Sequence, residues 1–151
     1  MGKFNILGFR YYEITKEGYY MAKVKVFLSF EFGRDNELHH NFYGQAARGD
    51  SCHEIEDYSL KEAYKPHNDR SWLKKARDLI SRSDIVIVVT GQDAHNAPGV
   101  EKEVTIANQQ HKPIFQIRPQ NGTSGSVPGA GEVIPWDWKQ INAMISKCLK
   151  K

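Results

Sequence analysis

Residues 83–117 read SDIVIVVTGQDAHNAPGVEKEVTIANQQHKPIFQI, and no other stretch restricts the fold as much. The run at 84–90, DIVIVVT, is apolar and β-branched without alternation, the mark of a strand covered on both faces. A polar loop follows, then a short helix, then a second buried strand at 113–117, PIFQI. Strand, helix and strand in that order form a parallel crossover unit, which is right-handed.

The same alternation extends outward in both directions. Residues 24–30 are apolar and β-branched and read as a buried strand. Residues 35–47 read as a helix with Asp35 or Asn36 as its N-cap. A short strand fits 52–57, and Pro66 argues against a continuous helix through 58–67. Asp69 is placed to cap a helix that puts Trp72, Leu73, Ala76, Leu79 and Ile80 on one face. Residues 120–131, QNGTSGSVPGAG, read as a flexible loop. Their glycines are no phosphate cradle, because the lysine is missing and no helix follows directly. A last strand fits 132–135, and Asp137 can cap a closing helix with Trp138, Ile141, Ile145 and Leu149 inward. Five strands alternating with four helices predict an α/β three-layer sandwich with a five-stranded, mainly parallel sheet in flavodoxin-like order.

Such sheets bind ligands at the carboxyl ends of their strands, where the strand order reverses. That edge carries Ser29, Phe30 and Glu31 after the first strand, Asp57, Tyr58 and Ser59 after the second, and Thr90, Gly91 and Gln92 after the third. Each of these alone is an ordinary loop residue or helix cap. Glu103 is harder to place. A helix turning about 100° per residue puts Val100, Val104, Ile106 and Ala107 on one apolar arc, with Glu103 inside it and Glu101 on the solvent side. An acid among core-facing residues has either a structural partner or a catalytic task. Periodicity alone favours the structural partner.

Several chemistries are excluded by their missing patterns. No G-x-G-x-x-G follows a strand, and there is no G-x-S-x-G elbow. His39-His40 and Cys52-His53 do not have zinc-site spacing, so no metal is expected. A receiver domain would need an aspartate at the end of its central strand, where this chain has Thr90-Gly91. The net charge of +3 does not call for nucleic acid, and no apolar run approaches a membrane span. Two cysteines far apart, with no secretory leader, point to free thiols in the cytoplasm. Residues 1–22 are aromatic-rich and weakly patterned. They read as an N-terminal extension, either a leader ahead of a natural start at Met21 or a strand or hairpin that packs on a partner. The domain proper is expected over 23–151.

Four segments in sequence, VFLSFEFGRDN, ISRSDIVIVVTG, GVEKEVTIANQQHKPIFQI and IPWDW, together resemble the TIR-like domains of the Thoeris antiphage type. The resemblance runs from about Lys23 to the end. It implies cleavage of the bond between nicotinamide and ribose in NAD, with rejoining of the ADP-ribose part into a cyclic signalling nucleotide. It also implies a homo-oligomer and a separate effector protein that answers the signal. NAD enters as substrate, with no resident cofactor. The family's catalytic glutamate is followed four residues later by alanine, which matches Glu103 and Ala107. As substrate-binding residues we expect Ser29, Phe30, Asp57, Ser59, Thr90 and Gln92. Phe30 is a flat surface for a ring or a core residue, and Ser29, Asp57 and Ser59 face phosphate or ribose. Arg34 meets a phosphate or is simply solvated. The chain departs from the family in lacking the tryptophan that often precedes the catalytic helix, where it has Asn96-Ala97-Pro98-Gly99. Two other readings stand beside this one: a non-catalytic interaction module, and an enzyme of the nucleoside deoxyribosyltransferase type.

Overall fold

The computed structural model describes residues 3–6, 9–15, 18–21, 23–91, 93–120 and 125–149; before residue 22 it describes the backbone alone. Strands β1 (Lys3–Ile6), β2 (Phe9–Thr15) and β3 (Gly18–Met21) form a small antiparallel sheet of their own.

The domain sheet is built from β4 (Val24–Ser29), β5 (Ile55–Asp57), β6 (Ile85–Val89), β7 (Ile114–Arg118) and β8 (Val133–Pro135). Their spatial order is β5-β4-β6-β7-β8, and every pairing is parallel. This is the flavodoxin-like order, with the chain reversing direction across the sheet between β4 and β6. The unbroken apolar runs explain the arrangement. Residues of β4, β6 and β7 alternate between two covered faces, so each strand needs apolar side chains throughout.

Helices cover both faces. On one side α1 (Asn36–Ala47) and α4 (Trp138–Leu149) place Phe42, Ile141 and Ile145 against Val26, Leu28, Ile87 and Ile117. On the other, α2 (Asp69–Arg82) and α3 (Pro98–Gln109) place Trp72, Ala76, Ile80, Ile106 and Ala107 against Phe27 and Val86. Among the described residues no helix is long and apolar enough to cross a membrane.

Several local expectations are corrected. The second strand begins at Ile55 rather than residue 52. Asp35 occupies the N-cap position of α1, but its carboxylate bonds no helix N–H. Asp69 is already helical, with Asn68 at the cap, and its Oδ1 instead accepts from the Tyr64 hydroxyl at 2.7 Å. The described part of the loop after β7 is pinned rather than loose. The Gln116 side chain, 2 % exposed, donates through Nε2 to the carbonyls of Val127 (3.0 Å) and Gly131 (2.9 Å) and accepts from the Val127 amide (2.8 Å).

Candidate active site

The first strand of the sheet ends on Ser29, in register beside Val88 of β6. After β6 the chain makes a 3₁₀ turn at Ala94–Asn96 and enters α3 through Pro98, whose fixed φ suits a first helical turn. The inward arc of α3 holds Val100, Glu103, Val104, Ile106 and Ala107, while Glu101 is exposed. Glu103 is 5 % exposed, and Ser29 Oγ donates to its Oε1 at 2.7 Å. Burial pushes the Glu103 carboxyl up to about 8, against the smaller opposing effect of the Ser29 hydrogen bond. A carboxyl group in this state holds its proton near neutrality and gives it up when positive charge arrives.

Glu103 lines a cavity of about 100 Å³ with Phe30, Glu31, Tyr64, Trp72 and Gly99. A second, larger pocket of about 650 Å³ lies across Phe30 and Phe32 and is lined by His39, Tyr43, Asp57 and Lys61. Phe30 separates the two. It packs into the core and stacks on the His39 ring, with centroids 4.9 Å apart.

Three of the expected residues, Ser29, Phe30 and Glu103, therefore meet at one place. The others do not join them. Asp57 lies on the far side of Phe30, where its Oδ2 meets His39 Nε2 at 3.0 Å and Lys61 Nζ at 2.9 Å. Burial pushes the Asp57 carboxyl up, but His39, Lys61 and Ser59 together hold it below the ordinary carboxylate range. Ser59 is engaged with the fold: its Oγ accepts from the Leu28 amide at 3.0 Å and lies 3.1 Å from the Tyr43 hydroxyl. Thr90 is fully buried and donates to the Ile117 carbonyl at 3.2 Å, tying β6 to β7. Gln92 lies outside the described residues. Arg34 pairs with Glu31 at 3.5 Å on the surface. Among the described residues no three His, Cys, Asp or Glu side chains converge as a metal site would require.

Sequence reasoning missed two residues of the cavity wall. Trp72 reads as one more apolar residue on the buried face of α2. Tyr64 lies in an irregular segment with no periodic signal.

The chain matches the model of the family described as Thoeris protein ThsB, TIR-like domain, over residues 27–124. It belongs to that family. The matched region of this TIR-like domain runs from within β4 past β7 and contains Ser29, Phe30, Asp57, Ser59, Thr90 and Glu103. The protein is thus a Thoeris antiphage defence protein with a TIR-like fold. No protein of curated function matches the chain.

Proposed function

We propose that this TIR-like domain breaks the bond between nicotinamide and ribose in NAD, with Glu103 acting as the catalytic carboxylate. One observation supports this above the rest. A buried carboxyl group with a raised pKa, held by Ser29 and without a cationic partner among the described residues, lines a cavity at the carboxyl edge of the sheet.

The chemistry needs little more. The C1′–N1 bond breaks with its electron pair leaving on the pyridinium ring, which becomes neutral nicotinamide. Positive charge develops on the ribose, as in other glycosyl transfers. The substrate's own positive ring favours the ionised form of Glu103, and the carboxylate then stabilises the ribosyl cation electrostatically. The leaving group needs neither a general acid nor a metal, because it departs as a neutral molecule. The ribosyl carbon is then captured by water, with release of a proton, or by a nitrogen of the adenine, giving a cyclic ADP-ribose-type product. Such a product serves as the signal to a separate effector protein in antiphage defence.

The test is incubation of concentrated protein with NAD, with and without extract of phage-infected cells, read by mass-resolved chromatography. Nicotinamide with an ADP-ribose isomer is the expected result. Consumption of deoxynucleosides but not NAD would replace this reading with a deoxyribosyltransferase. No turnover under any condition would replace it with a binding module.

A further inference from the structure

Trp136 and Trp138 stand either side of Asp137 where β8 turns into α4, beyond the region that matches the family model. Both are partly exposed. An indole carries a large apolar surface, so two of them left half in water at one corner need a reason.

The pair is fixed from behind. Gln45 Oε1 accepts from both indole N–H groups, 2.8 Å from Trp136 Nε1 and 2.6 Å from Trp138 Nε1. An indole nitrogen only donates, so the Gln45 oxygen must face the pair and its Nε2 hydrogens point elsewhere. Among the described residues those hydrogens have no acceptor. Phe42 lies behind both rings, with centroids 5.1 Å from Trp138 at 35° between planes and 6.2 Å from Trp136 at 71°. The core thus takes one side of the pair. The other side borders an open pocket of about 530 Å³, the size of a small-molecule site. Its opposite wall is one stripe of α1, where Asn41, Gln45 and Arg48 follow at spacings of four and three.

The groups around this pocket select its ligand. Arg48 is engaged by Asp50, whose Oδ2 lies 3.2 Å from its Nε and 3.1 Å from its Nη2. Asp137 adds a second carboxylate to the lining. A phosphate or carboxylate ligand would want a guanidinium or ammonium of its own, and this one is already paired. The indole N–H groups are spent on Gln45, so they cannot serve the carbonyls of a peptide. The two tryptophans offer ring surface alone. Beside that surface stand the amides of Asn41 and Gln45 and the carboxylate of Asp137, donors and acceptors together. A hydroxyl group both donates and accepts, so it matches either kind. A pyranose ring carries hydroxyls around its rim, and its axial C–H groups form an apolar face that lies flat on an aromatic ring.

We propose that Trp136, Trp138, Gln45 and Asn41 form a binding site for an uncharged pyranoside. It is separate from the Glu103 cavity and independent of the reaction proposed there.

Fluorine NMR of 5-fluorotryptophan-labelled protein tests this. The chain has three tryptophans. Trp136→Phe and Trp138→Phe assign two resonances and leave the third to Trp72, which is buried in another cluster. If one of those variants does not fold, Trp72→Phe supplies the missing assignment. The methyl glycosides of glucose, galactose, mannose and N-acetylglucosamine are titrated in turn, with adenosine and inorganic phosphate as comparisons. At least one glycoside should move the Trp136 and Trp138 resonances saturably and leave that of Trp72 in place, whereas phosphate should move none. Asn41 is exposed, so Asn41→Ala should keep the denaturation midpoint. It should weaken binding of the responding glycoside about threefold to tenfold, the loss of one hydrogen bond. No saturable shift with any glycoside, a stronger response to adenosine or phosphate, or unchanged affinity in Asn41→Ala would overturn the sugar site.

Discussion

Glu103 titrates near 8 because burial disfavours its charged form, so at pH 7 most molecules carry it neutral. Only the ionised form stabilises a ribosyl cation. The second-order rate constant kcat/KM for NAD, which reports the free enzyme, should therefore rise with pH and level off above about 8. Well below that value the rise should be about tenfold per pH unit. Ser29 donates a hydrogen bond that lowers the Glu103 pKa, so Ser29→Ala should move the rising limb to higher pH. Glu101→Gln should leave the profile in place, because Glu101 is exposed. A flat profile between pH 5.5 and 8 in the wild-type chain would show that ionisation of Glu103 does not gate the chemistry.

The element that supports this edge of the sheet is β7 with the loop it holds. Gln116 satisfies three backbone groups at once, and Val127 and Ala130 are buried as a result. Replacing it with leucine strips partners from buried groups, each costing about 1–3 kcal/mol. Gln116→Leu should therefore lower the denaturation midpoint clearly and speed hydrogen exchange at the Val127 amide. An unchanged midpoint would mean that the loop is held by other contacts. Nothing in the glycine-rich run 120–131 announced this. A lone glutamine inside PIFQI looks like a polar interruption of a buried strand, and its partners lie 11 and 15 residues away in sequence.

At the level of the whole molecule, the five-stranded order was legible because each strand carries its own signal. Covered parallel strands must be apolar on both faces, and 24–30, 84–90 and 113–117 are. The inward placement of Glu103 followed from helical period alone. What convergence across the sheet decides was not legible. Sequence cannot say that Phe30 lines both the Glu103 cavity and the Asp57 pocket, or that Trp72 of α2 lines the cavity beside Glu103 of α3. Those facts depend on how elements far apart in the chain abut. The cavity beside Glu103 measures about 100 Å³, so most of a dinucleotide must lie outside it, against other surfaces. If a second copy of the chain supplies those surfaces, specific activity should rise with protein concentration, alongside an increase in mass measured by light scattering. Constant specific activity from a monomer would show that one chain is sufficient.

Unfolding returns Glu103 from about 8 to its ordinary 4.5, so between these values the unfolded chain releases a proton that the folded chain keeps. Folding is then progressively disfavoured as pH rises through that window; the cost is absent below it and complete above it. At about 1.4 kcal/mol per pKa unit the cost is on the order of a few kcal/mol. Glutamine at this position keeps the shape and avoids the charge. The decisive measurement is therefore Tm and nicotinamide release from NAD on the same Glu103→Gln sample, at about pH 4, below that window, and again above pH 8. The expected result is lost turnover in a protein whose Tm matches wild type at the lower pH and exceeds it by several degrees at the higher one. Retained turnover in that variant, or turnover lost together with a lowered Tm, would contradict a catalytic role for Glu103.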